Sequence, residues 1–198
     1  MTSVQVAWFI DTSALVTLAI SPGLNQAVQT ALTQPPHRAL LMLAVRNELD
    51  GLVQKNEQPV ANWAAGALTQ LAWLGKPLEM SPADETRADE LQKIIAGGRA
   101  LTHPQQHYGE AAIIATATRA TLVKTAMLSD DYGARIEAKN HGLTTASVHK
   151  LIHLLIRNNV ITAQTGWQFA EALHKAGRAQ DYSIDELQDG KLGRVGRP

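Results

Sequence analysis

The 198-residue chain contains no cysteine, which excludes disulfides, thiolate metal ligands and a cysteine nucleophile, and permits a reducing compartment. An excess of either charge is also missing. Lys and Arg number 18, Asp and Glu 18, so the formal net charge is zero and bulk charge does not advertise nucleic-acid binding; any such binding must rest on local patches. Long apolar runs are absent as well. The N-terminal apolar stretch is interrupted by Asp11 and by polar residues before Ile20, and no basic segment precedes it, so neither a signal peptide nor a membrane span is expected and the reading is cytoplasmic. No internal repeat or low-complexity linker divides the chain. With 45% hydrophobic side chains, it is read as one α/β domain over residues 1–160, a helical extension over 161–180 and a flexible polar tail over 181–198.

Short apolar segments alternate with helical ones. Val4 to Ile10 has the length and β-branched, aromatic content of a buried strand, and Thr12 or Ser13 then caps a helix to Ile20, stopped by Ser21-Pro22-Gly23. Helix is expected over Leu24–Thr33, Ala44–Val53, from Pro59 through Leu74, after Ser81-Pro82, from Glu110 and over Tyr132–Asn140; strand is expected at Ala39–Leu43 and Leu122–Leu128. Beyond Leu151, two packed helices are expected around Asn158-Asn159. Such alternation predicts an α/β/α sandwich around a central, mainly parallel sheet.

Asp11, in Phe9-Ile10-Asp11-Thr12-Ser13, stands where a strand gives way to a helix, and the crevice outside the C-terminal ends of the strands is where open α/β sheets bind ligands. Acidic residues recur at similar junctions: Glu48, Glu110 after Gly109, and Asp130 and Asp131 after Ser129. Parallel neighbouring strands would bring these carboxylates to one rim, where their mutual repulsion calls for a cation. Oxygen ligands without His or Cys select Mg²⁺ or Mn²⁺. Such ions activate a water and stabilise the leaving oxygen in phosphodiester cleavage. Each acid also has an ordinary reading: Asp11 as a helix cap, Glu48 as a solvated helix position, Glu110 as a first-turn acid.

Asp11-Thr12-Ser13-Ala14-Leu15, Glu48, Gly109-Glu110 with its Ala/Ile-rich helix, and Ser129-Asp130-Asp131 followed by Ala134-Arg135 together resemble the acidic landmarks of PIN-domain ribonucleases, in their usual order over roughly residues 4 to 155. The chain is most similar to VapC-like toxins of type II toxin–antitoxin pairs. This resemblance implies a Rossmann-like fold and Mg²⁺- or Mn²⁺-dependent endonuclease activity on RNA. It also implies homodimerisation and an antitoxin that blocks the site. Asp11, Glu48, Glu110 and Asp130 match the metal-binding, catalytic acids, with Asp131 beside them in a supporting or capping role and Ser13 as the hydroxyl supporting Asp11. The chain departs from a compact toxin by the segment between Val53 and Leu101 and by everything beyond Val160, so a housekeeping RNA-processing nuclease and a non-catalytic binding module remain alternatives. A haloacid-dehalogenase-like phosphatase would want a second aspartate where Ser13 stands.

Phosphate contacts are expected from Arg135 and, four residues on, Lys139, against the plainer reading of a solvated helix face. His103 and His107 precede Glu110 in a polar loop and are weighed as substrate contacts. His149 and His153 have zinc-compatible spacing but no accompanying Glu. Trp63 and Trp73 face about 80° apart on an ideal helix and are expected in core or interface packing, the latter against an apolar helix of an inhibitory partner.

Overall fold

The computed structural model describes residues 5–97, 99–120 and 123–178, so the expectation of a flexible tail over 181–198 falls outside the described residues. Strand β1, Val6–Ile10, is covered on both faces, with Phe9 and Ile10 fully buried, which accounts for its unbroken apolar sequence. Burying each of these side chains contributes roughly 1.5–3 kcal/mol. Strands β2 (His37–Leu40), β3 (Lys124–Leu128) and β4 (Thr144–Ala146) complete a four-stranded sheet of order β2-β1-β3-β4 in which every pairing is parallel. The central pair, β1 and β3, aligns Ile10 with Leu128, so Asp11 and Ser129 leave the sheet side by side.

The helices, among the described residues, are α1 (Thr12–Ala19), α2 (Pro22–Thr33), α3 (Leu43–Lys55), α4 (Val60–Thr69), α5 (Pro82–Ile95), α6 (Tyr108–Thr118), α7 (Tyr132–Asn140), α8 (Val148–Arg157) and α9 (Ala163–Lys175). Right-handed crossovers between parallel strands send consecutive helices to opposite faces when the direction across the sheet reverses. Accordingly α2, α8 and α9 cluster together, and α3 to α6 form a second group that α7 joins through α5. The chain is therefore an α/β protein of sandwich architecture, as its sequence pattern implies.

Four local details differ from the sequence reading. Pro22 does end α1, but it also opens α2 as a first-turn proline, where its missing N–H costs nothing. Strand β2 is earlier than expected, because Leu78 draws the chain out of the sheet: its N–H donates to the Leu41 carbonyl and its own carbonyl accepts from Leu43. The helix expected through Leu74 breaks after Thr69, whose hydroxyl takes the Gly66 carbonyl at 2.7 Å, and resumes as a 3-10 turn over Leu71–Leu74. Strand β4, only three residues long, was not anticipated.

Candidate active site

Asp11 caps α1 and is 1% exposed. Its backbone N–H donates to the Leu128 carbonyl, extending the β1–β3 ladder by one bond and fixing the side chain at the end of the sheet. The Asp11 Oδ2 atom accepts from the Ser13 N–H (3.3 Å), Ser13 Oγ (2.6 Å) and Ser129 Oγ (2.9 Å). Those hydroxyls accept in turn, Ser13 Oγ from the Asp130 N–H at 2.9 Å and Ser129 Oγ from the Asp131 N–H at 3.1 Å. Each serine has one proton and spends it on Asp11, so the 3.2 Å approach between the two hydroxyls is contact rather than a hydrogen bond. Asp11 Oδ1, by contrast, is buried and has no hydrogen-bond partner.

Glu48, half-buried on α3, presents Oε2 to Thr12 Oγ1, which donates to it at 2.6 Å. Glu110, in the first turn of α6, is 8% exposed, and its Oε2 is a second buried carboxylate oxygen without a partner. His107 precedes it in left-handed backbone (φ 61°), and its Nδ1 stands 3.7 Å from Glu110 Oε1. At Gly109 α6 comes close to α3: a Cβ there would lie 2.6 Å from Glu48 Oε2 and displace that carboxylate.

These three acids act on one another. Burial is the main cause that raises the Asp11 pKa above the ordinary carboxylate range, its hydrogen bonds opposing. Burial, followed by the Asp11 charge, raises Glu48 from 4.5 to about 7. Glu110 is raised well above its ordinary value by burial, then by the charges of Asp11 and Glu48, with a smaller contribution from Asp131.

The last contribution separates the two aspartates after β3. Asp131 caps α7 through Oδ1, which accepts from the Ala134 N–H at 2.8 Å, and its charge is felt at Glu110. Asp130 Oδ1 accepts from the Val148 N–H at 2.8 Å, beyond the end of β4, and its Oδ2 is buried without a partner. Asp11, Glu48 and Glu110 are thus brought together with Asp131 on their margin, while Asp130 reaches toward α8.

Arg135 is buried, with Nη1 donating to the Ser129 carbonyl at 2.8 Å, and so braces the turn that carries Ser129. Lys139 is exposed one turn further on. His103 lines a cleft of about 640 Å³ between α5 and the loop before α6, with Asp89, Gln92 and Tyr108; none of the four acids lines it. His149 is buried and His153 half-buried on α8. Thr12, Ser129 and Gly109 are site residues that sequence reasoning missed. The available signal was the hydroxyl residues that follow the two strand ends, Thr12 and Ser13 after β1 and Ser129 after β3, beside acids that need donors.

Among the described residues, no group of three or more His, Asp or Glu side chains stands in position to hold one ion together. Mg²⁺ does not require such a cage: it keeps several waters and is held through one or two carboxylates. Among the described residues, four carboxylate oxygens are buried without a partner, Asp84 Oδ1 on α5 and, around the strand ends, Asp11 Oδ1, Glu110 Oε2 and Asp130 Oδ2; the last three, in an all-oxygen donor set, fit that mode of binding. They do not fit Zn²⁺, which prefers His or Cys. Compared with protein-family models and with curated proteins, the chain matches none. No helix among the described residues is long and apolar enough to cross a membrane.

Proposed function

We propose that this chain is a PIN-type, Mg²⁺- or Mn²⁺-dependent endoribonuclease, acting as the toxin of a toxin–antitoxin pair. The observation that carries the reading is the pair of buried, unpartnered oxygens, Asp11 Oδ1 and Glu110 Oε2, at the C-terminal rim of a parallel sheet. Leaving such atoms without a partner costs about 1–3 kcal/mol each, a cost that a bound cation would remove. Asp11 and Glu110 would supply oxygens to the metal, with Glu48 and Asp131 adding negative charge around it. When bound, the cation would lower the pKa of a water and stabilise the oxygen leaving phosphorus.

The chain's own residues do the rest. Ser13 and Ser129 hold Asp11 Oδ2 so that Oδ1 faces away from them, and Thr12 fixes Glu48. In the metal-free protein burial and the Asp11 charge raise Glu48 to about 7, and a cation beside Asp11 would lower it again, so that Glu48 would carry its charge in the loaded site. Asp131 is taken as the fourth acid of this proposal on the ground that its charge is felt at Glu110, while Asp130 keeps one oxygen on the Val148 N–H and the other buried without a partner.

The test is incubation of purified protein with total RNA, with and without Mn²⁺, beside Asp11→Asn. Mn²⁺-dependent fragments from wild type alone support the reading, and intact RNA with bound RNA points instead to a binding module. Expression in a bacterial host addresses the toxin role: growth arrest that Glu110→Gln relieves is expected, whereas normal growth alongside active enzyme makes it a housekeeping nuclease.

A further inference from the structure

Tyr132 is the one exposed aromatic side chain among the described residues, 60% of its surface standing in solvent. It is the first residue of α7 and directly follows Asp131, whose charge reaches Glu110. Its ring does not hang free. The guanidinium carbon of Arg135 lies over it, 5.7 Å from the centroid, and Arg135 is itself buried and tied to the Ser129 carbonyl. One side of the ring is therefore held by a cation that belongs to the framework of the acidic site.

Two further residues share this helix face. Ile136 is 39% exposed one turn on, and Lys139 is exposed at the seventh position, about 20° from Tyr132 around the axis and roughly 10 Å along it. The face thus presents an aromatic ring next to the acids, then an aliphatic side chain, then a cation. For a protein partner the cation would be incidental. For a single-stranded polyanion each part has a use: the ring stacks a base, Ile136 covers a sugar, and Lys139 meets a phosphate.

Resting on the nuclease reading above, we infer that Tyr132 is the stacking platform for an unpaired nucleobase, which seats a single RNA strand along α7 and delivers the neighbouring phosphodiester to the acids. Arg135 then acts by holding the ring and the Ser129 turn, and Lys139 makes the phosphate contact.

The experiment measures binding of a fluorescent single-stranded RNA and of an abasic ribose-phosphate oligomer of the same length, in Mn²⁺, to the Asp11→Asn protein. Into that background go Tyr132→Phe, Tyr132→Leu and Tyr132→Ala. A stacking role predicts RNA affinity within about twofold of the parent for Phe and a loss of about tenfold or more for both Leu and Ala, with the weaker abasic binding unchanged throughout. In the cleaving protein, Tyr132→Ala should raise KM by a similar factor. Equal RNA affinity in all three variants overturns the inference while leaving the nuclease reading intact. So does Leu matching Phe, which would mark a merely apolar contact, or a dimer that Tyr132→Ala dissociates, which would make this face an interface between copies. If the parent neither binds nor, as wild type, cleaves RNA, both readings fall.

Discussion

Asp11 places one carboxylate oxygen in three hydrogen bonds and the other in none, so its environment both fixes the group and leaves it short of a positive partner. Burial and mutual repulsion act on Glu48 and Glu110 as well, and the effect has a definite sign in pH. Between pH 4.5, where an unfolded glutamate loses its proton, and about 7, where Glu48 does, the folded chain holds a proton that the unfolded chain has released. The Glu48 contribution to the stability of the metal-free protein therefore falls as pH rises through that window, by on the order of 2–3 kcal/mol; Asp11 and Glu110 act in the same direction, and His153, whose pKa burial lowers, acts against them. The melting temperature in chelator should be several degrees higher at pH 5 than at pH 7.5. Glu48→Gln should flatten the slope, and a profile rising with pH would contradict the shared cluster. Mn²⁺ should stabilise wild type most at the higher pH, where it competes with no proton.

The aspartate pair gives a second expectation at this scale. Asparagine keeps a side-chain oxygen that can cap a helix, so Asp130→Asn preserves the bond to Val148 and Asp131→Asn the bond to Ala134 while only charge is lost. Asp131→Asn should weaken Mn²⁺-induced stabilisation and cleavage together, and Asp130→Asn should change both little. Thermal shift and cleavage assays on the two variants decide it; the reverse outcome would move the fourth acid back to Asp130.

Between elements, the critical approach is α6 on α3 at Gly109. An added methyl would lie 2.6 Å from Glu48 Oε2 and 3.4 Å from Val45 Cγ2, and of these neighbours the end of the glutamate yields most easily. Gly109→Ala is expected to expel the Glu48 carboxylate from Thr12 and lower cleavage at least tenfold, while costing the fold no more than about 1 kcal/mol. A folded variant with full activity would show that the Thr12–Glu48 bond is dispensable. This approach was not legible in the sequence, where Gly109 is only a residue before an acid. The long, periodic elements were: α7 has the bounds its pattern implies, and Ser81-Pro82 opens α5 with a capping box. What could not be read were positions set by partners distant in sequence. Successive residues leaving a strand point to opposite sides, so the partners of Asp130 and of Asp131 depend on β1 and β4 flanking β3, and β4 is too short to show a periodicity. Arg135 is a similar case. Its helical position suited a phosphate contact, and only the fold reveals that its guanidinium is spent on the Ser129 carbonyl.

At the scale of the molecule, the C-terminal extension returns to the site. Helix α9 packs on α8, with Gly166 letting the two approach so closely that a Cβ there would strike the Ile156 side chain. Beyond α9, Arg178 reaches α1, its Nε donating to Thr17 Oγ1 at 3.0 Å and its Nη2 to the Ser13 carbonyl at 3.1 Å. Ser13 is the residue whose hydroxyl holds Asp11, so the extension braces the first turn of the helix that carries the site. Bonds from a charged donor contribute about 1.5–3 kcal/mol when buried and less here, where Arg178 is half-exposed. Arg178→Ala should therefore lower Tm by a few degrees and also weaken Mn²⁺ binding several-fold. Arg178→Lys, with one compact ammonium in place of a fork, should fall between. Glu171→Ala provides the contrast, because it breaks the Lys175–Glu171 pair on the same extension, whose lysine is exposed, and should leave both quantities nearly unchanged. Arg178→Ala that loses stability but keeps its Mn²⁺ response would reduce the extension to a brace for the fold. A parallel loss would make the segment from α9 to Arg178 part of what positions Asp11, and would give α9 a role at the site beyond its packing on α8.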